Sequence, residues 1–204
     1  MIMDTLERWI RSLGGIAALG TLAYAILSMF RSLRRPKGRE EAGARFALRA
    51  PALLVATLLF VLVGALLWRP LPLQVGPWLR VLLLAFGSVL LFGGLGLYLW
   101  GMRSLGAMFG PSSGFGVRLQ AAHRLITTGP YAHVRHPMYL AVIASAIGTL
   151  LLYRTWAALG FATIMAGLVV RARREERVLA QEFGPEWEAY AAHVPPGFPR
   201  LGRR

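Results

Sequence analysis

The chain has 204 residues, 56% of them hydrophobic and 16% charged, with a mean hydropathy of +0.53; a soluble domain carries about 25% charged residues, so the composition is that of an integral membrane protein. The formal charge of +14 comes from 23 basic and 9 acidic residues, and every basic residue except Lys37 is arginine. Most of these arginines flank apolar runs, where they set orientation and meet anionic headgroups, which excludes the nucleic-acid reading that such a charge would suggest in a soluble protein. The absence of cysteine excludes disulfides, thiolate nucleophiles and thiolate metal sites.

The first apolar run covers Ile16 to Phe30, after an amphipathic lead-in containing Leu6, Trp9 and Ile10. Asp4 and Glu7 stand where a cleavable signal would be basic, so the N-terminus is read as part of the first span. Arg31 to Arg49 is a basic connection holding Arg31, Arg34, Arg35, Lys37, Arg39, Arg45 and Arg49 against Glu40 and Glu41. The second run is Pro51 to Trp68. A short turn with Pro70, Pro72 and Pro77 leads into the third, Trp78 to Trp100, bounded by tryptophans of the interfacial kind. Gly93-Gly94-Gly96 within it, with no strand before it, reads as a close-packing patch rather than a nucleotide loop.

Gly101 to Pro137 is a long polar connection, a length usually kept for function. Met138 to Val170 is a 33-residue apolar stretch interrupted by Tyr153-Arg154. As one helix it would reach roughly 50 Å, against a hydrocarbon core of about 30 Å. The expectation is a short hairpin turning at Tyr153 to Thr155. In the amphipathic tail from Arg171, Leu179, Phe183, Trp187 and Tyr190 fall on one helical face, and Gly184-Pro185 should break the helix. His193 to Pro199 is too rich in proline for regular helix.

These elements make an all-α membrane bundle of five transmembrane helices with a cytoplasmic helical tail. Residues 1–100 read as a three-span region and 101–204 as a catalytic region. Five spans with the N-terminus outside place every strongly basic segment in the cytoplasm.

Two polar clusters abut the hairpin. One runs from His123 to Tyr139 (HRLITTGPYAHVRHPMY), the other from Arg171 to Glu176 (RARREE). A hairpin returns both to one membrane face, where ionisable residues are costly unless paired, so His123, Arg135, His136, Tyr139, Arg171, Glu175 and Glu176 are candidates to converge. The blander readings are snorkelling anchors for Arg171, Arg173 and Arg174, and surface pairs for Arg171–Glu175 and Arg173–Glu176. His133 and His136 have no third ligand at a recognisable spacing, so no metal is expected.

Together the clusters resemble the isoprenylcysteine carboxyl methyltransferase family and the related phospholipid methyltransferases. The residues that carry the resemblance are His123, Leu125, Thr128-Gly129-Pro130-Tyr131 and Val134-Arg135-His136-Pro137-Met138-Tyr139. After the hairpin follow Arg171, Arg173, Glu175-Glu176, Leu179, Phe183-Gly184-Pro185-Glu186-Trp187, Tyr190 and Val194-Pro195. The match covers roughly Leu119 to Leu201. It departs at Ala141, where the family commonly has glycine, and this bears on pocket shape and substrate choice.

The resemblance implies S-adenosylmethionine as methyl donor, held by His123, Leu125, Gly129, Tyr131, Val134, Arg135, His136, Tyr139, Glu175 and Glu176. Catalytic roles fall to Arg135, His136, Tyr139, Arg171, Arg173 and Glu176. Either glutamate could pair with the donor's ammonium or ribose hydroxyls, and Arg171 or Arg173 could orient an acceptor carboxylate. The implied acceptor is lipophilic and reaches the site from the bilayer. Carboxyl O-methylation of an isoprenylcysteine-like compound is the first expectation, with phospholipid N-methylation or small-thiol S-methylation as alternatives. A non-catalytic transporter or membrane-binding protein is the reading from another class.

Overall fold

A computed structural model of the chain describes residues 2–33, 50–106 and 125–197, and every regular element among them is helical. His123 and most of the basic connection after Arg31 lie outside the described residues. Helix α1 covers Ile2–Leu33, so the amphipathic lead-in and the first apolar run are one continuous helix. Helix α2 covers Ala50–Leu66 and α3 Pro77–Leu105. Pro77 sits in the first turn of α3, where a missing N–H costs nothing.

The apolar stretch after Pro137 folds as the expected hairpin. Helix α4, Pro137–Tyr153, ends at Arg154 in the left-handed region, φ 52°. Helix α5, Trp156–Ala166, begins behind Thr155, whose hydroxyl accepts from the Ala158 N–H at 3.2 Å. Gly167 separates α5 from α6, Leu168–Phe183. The predicted break then follows: Gly184 has φ 49° and Pro185 opens α7, Pro185–His193.

Helices α3 and α4 run antiparallel in close contact. Gly87, Gly94 and Gly101 of α3 face Leu152, Ala141 with Ser145, and Met138 of α4 in turn. A spacing of seven residues is nearly two helical turns, which keeps these glycines on one face. A methyl group added at Gly94 would come within 2.7 Å of the Ala141 carbonyl oxygen. Gly94 is therefore a packing residue, as the sequence implied, whereas Gly93 and Gly96 face open space. Ala141, at the position where the resemblance puts glycine, is fully buried against this seam.

The core is Leu84, Leu91 and Leu152, flanked by Met3, Ile10, Leu95 and Tyr153. Outside it the helices present large apolar side chains outward, including Leu82, Phe86 and Val89, a surface suited to lipid rather than water. Among the described residues, Ile2–Ser28, Pro77–Leu105 and Trp156–Phe183 are long and apolar enough to cross a membrane. Thr57–Leu66 and Pro137–Tyr153 are shorter apolar segments.

The antiparallel register gives the bundle two chemically distinct ends. Arg154, Arg80 and Glu7 meet at one, and the start of α4 lies at the other, about 25 Å away at 1.5 Å per residue. At the first end the loop after α2 is tied to the hairpin tip. Leu71 N–H donates to the Arg154 carbonyl at 2.8 Å, and Trp156 N–H to that of Arg69 at 3.0 Å. Glu7, almost wholly buried, receives Arg11, Arg80 and Arg154 on one carboxylate.

Candidate functional site

The second end is built on a turn that α3 supports. Gly129 has φ 63°, and a Cβ there would run into Ser104 and approach Trp100, so a side chain is disfavoured by both conformation and space. Pro130 is fully buried, and its carbonyl accepts from the N–H groups of His133 and Val134, each at 3.1 Å, closing a single 3₁₀ turn over Gly129–Ala132. The chain then reaches His136, the residue capping α4, with Pro137 in the first helical turn. His136 and Tyr139 are one turn apart and stack, with ring centroids 5.6 Å apart and planes within 6°.

Helix α6 crosses this start and supplies the acids. Tyr139 donates its hydroxyl proton to Glu175 Oε2 at 2.7 Å and accepts from Arg171 Nε at 2.9 Å. Arg171 also lies over the Tyr139 ring, 5.9 Å from its centroid. Glu176 Oε1 lies 3.2 Å from His136 Nε2 and 3.0 Å from Arg135 Nε. The two adjacent glutamates thus bind two different partners, one tyrosine and one histidine–arginine pair. Arg171 and Glu175, four residues apart on α6, are bridged through Tyr139.

Arg135 is held from several sides. Its guanidinium sits 5.8 Å from the ring centroid of buried Trp187, and Nη1 donates to the Ala191 carbonyl at 3.1 Å. Its backbone N–H donates to the Pro195 carbonyl at 2.9 Å. Tyr190 donates to the Tyr131 carbonyl at 2.7 Å, and burial pushes its phenol up to about 12. Burial also holds the Tyr131 phenol well above its ordinary value, and the nearby Glu175 charge acts in the same direction. Gly197, φ 84°, packs over Val134. Helix α7 and the segment after it therefore clasp the loop that presents His136.

The structure brings together Arg135, His136, Tyr139, Arg171, Glu175 and Glu176. Gly129, Tyr131 and Val134 form the turn beneath them, and Leu125 is half-buried at the turn's approach. Arg173 is exposed, and its charge reaches Glu176 from outside. Sequence reasoning missed the part played by Trp100, Gly101 and Ser104 as the floor of the turn. The seven-residue glycine spacing was the signal for that floor. Among the described residues no group of three or more histidines and acids is disposed to hold a metal ion.

Residues 82–186 match the family described as phospholipid methyltransferase. The chain is similar to the protein-S-isoprenylcysteine O-methyltransferase of Schizosaccharomyces pombe, with 35% identity over 85 residues, covering 39% of this chain and 34% of the relative. It is similar also to protein-S-isoprenylcysteine O-methyltransferase B of Arabidopsis thaliana, 34% identical over 41% of this chain and 43% of the relative. The cobalt-zinc-cadmium resistance protein CzcN of Cupriavidus metallidurans is 37% identical over 38% of this chain and 36% of its own length. The chain thus spans well under half the length of each of these relatives.

Proposed function

This chain belongs to the phospholipid methyltransferase family, and on that premise we propose that it is a membrane methyltransferase that uses S-adenosylmethionine to methylate a lipophilic acceptor. The observation that carries the reading is the paired network at one end of an apolar bundle, in which Tyr139 bridges Arg171 to Glu175 and Glu176 bridges His136 to Arg135. Polar groups of both signs are there assembled beside apolar helices.

The donor set fits such a cofactor. A carboxylate offers about four lone-pair positions, and the Tyr139 bond uses one of those on Glu175. Glu175 and Glu176 suit an ammonium group and ribose hydroxyls. The first turn of α4 suits the donor's carboxylate. His123, Leu125, Gly129, Tyr131 and Val134 complete the proposed donor site. What S-adenosylmethionine brings when bound is a methyl group on a sulfonium that needs no further activation.

The chain's own contribution is then positioning and exclusion of water. Tyr139 fixes the planes of Glu175 and Arg171, and Arg135 fixes Glu176. For a carboxylate acceptor no proton has to leave. His136 and Glu176 are the proton acceptors in reach of the site for a thiol or ammonium acceptor. Arg171 is proposed to align the acceptor, with the exposed Arg173 as an outer guide. The preferred acceptor is the carboxylate of an isoprenylcysteine-like compound, because two relatives carry that activity in their names. We place this end in the cytoplasm and the N-terminal residues outside, with residues 101–204 as the catalytic region and five crossings in all, on the asymmetry of arginine between the connections.

The test is titration of the purified protein with S-adenosylhomocysteine, followed by transfer of labelled methyl to an S-prenylated N-acetylcysteine, phosphatidylethanolamine and a small alkyl thiol. Saturable binding with transfer to the first supports the full reading. Transfer confined to one of the others corrects the acceptor. No binding and no transfer to any of them would overturn the methyltransferase itself. Within an active protein, Arg171→Lys is expected to lower turnover on a carboxylate acceptor about tenfold while leaving the affinity for S-adenosylhomocysteine within about twofold. An ammonium keeps the charge but cannot hold Tyr139 and a carboxylate in one plane. Unchanged turnover would remove Arg171 from acceptor alignment.

A further inference from the structure

The end of the bundle away from this site carries a second polar assembly that the proposed reaction does not use. Glu7 is 3% exposed, yet its two carboxylate oxygens receive three guanidinium groups, Arg11 and Arg154 on Oε1 and Arg80 on Oε2. Arg80 also reaches Asp4 at 2.7 Å, and Arg11 Nε donates to the Leu152 carbonyl at 2.9 Å. Arg8 bonds the Asp4 carbonyl. Three arginines meet two carboxylates, leaving a surplus of one positive charge. Three helices contribute: α1, the start of α3 and the tip after α4.

We propose that Arg11, Arg80 and Arg154 form a binding site for the phosphodiester of an anionic phospholipid, on the membrane face opposite the Glu176 site. Glu7 explains how three guanidiniums come to lie side by side, since it offsets part of their repulsion from a buried position. It does not neutralise them. The side chains of Arg11 and Arg80 remain about a third exposed, 33% and 32%, so the cluster opens to its surroundings. Each guanidinium has five donors in a planar fork, the geometry that suits phosphate oxygens.

A second observation fixes the source of that phosphate. Trp9, Trp78 and Trp156 each stand two residues from a member of the cluster and are 64%, 86% and 47% exposed. Trp68, 53% exposed, packs on Tyr153 beside Arg154. Four outward-facing tryptophans at one level of a bundle with apolar flanks mark the headgroup plane of a bilayer. The phosphates of a leaflet lie at that plane. Free phosphate in water carries at least as much charge but has no reason to be recognised beside exposed indoles.

The experiment is thermal unfolding of the full chain in neutral detergent with added phosphatidylglycerol, phosphatidylcholine or inorganic phosphate. Phosphatidylglycerol is expected to raise the Tm by several degrees, with little effect from the other two. Arg80→Gln should remove at least half of that rise, and Arg177→Gln, an exposed charge on α6, should keep it. Arg80→Lys, which preserves the attraction to Glu7 and Asp4, is the second variant should the glutamine form fail to fold, and it too should lose at least half of the response. An equal rise with phosphatidylcholine would overturn the proposal, as would an equal rise with inorganic phosphate. A full response in whichever Arg80 variant folds would do the same.

Discussion

Glu176→Gln is expected to weaken S-adenosylhomocysteine binding by roughly 100-fold in a calorimetric titration and to remove methyl transfer with it. The Glu176 carboxylate serves His136 and Arg135 through one oxygen, and its side chain is only a quarter exposed. A neutral amide keeps the shape but loses the charge that accepts at His136 and pairs with Arg135. That is worth about 3 kcal/mol in all, and each 1.4 kcal/mol is a factor of ten. Arg135 then sits beside Trp187 with its countercharge gone, so a fall in Tm should accompany the loss. Glu182→Gln, an exposed acid on the same helix, is the control. Wild-type affinity in folded Glu176→Gln would reduce Glu176 to a structural residue and sink the donor-site assignment.

Gly148→Val is expected to have the largest effect on stability. A methyl added at Gly148 would press on the backbone of α3, coming 2.8 Å from the Gly87 carbonyl oxygen and 2.9 Å from the Leu91 α-carbon. Overpacking a side chain costs about 1–3 kcal/mol. Here neither neighbour has a rotamer to change, so the cost should lie at or above the upper figure. For a chain of this size that is a Tm lower by about 10 °C, or no folded protein. Gly93→Ala is the matched comparison, because nothing lies within 4 Å of the added carbon. Its Tm should stay level or rise by a few degrees through helix propensity. Equal losses in the two variants would show that the α3–α4 seam is not where the bundle's tolerance ends.

What was legible in the chain was local. The hairpin turn at Tyr153-Arg154, the break at Gly184-Pro185 and the convergence of Tyr139 with Glu175 and Glu176 each follow from short-range periodicity and the geometry of a return. The division of labour between the two glutamates was not legible, because it depends on the rotation of α6 about its axis against the start of α4. Glu7 was less legible still. Its i,i+4 relation to Arg11 can be read, but Arg80 and Arg154 lie 73 and 147 residues away. Only the antiparallel register of α3 and α4 brings them to the N-terminal turn of α1. Gly93-Gly94-Gly96 drew attention as a run, whereas the packing rests on Gly87, Gly94 and Gly101, a wider rhythm that a local window does not cover.

The clasp over the His136 loop has a consequence for how the protein is made. The carbonyls of Ala191 and Pro195 and the Tyr190 hydroxyl hold groups 56 or more residues earlier in the chain. A ribosome delivers the apolar hairpin to the bilayer before any of these residues exists outside it. Insertion and completion of the site are therefore separate events in time. The nascent protein passes through a stage with its helices in the membrane and the His136 loop unfastened. A truncation before Pro185 should insert normally and remain inert.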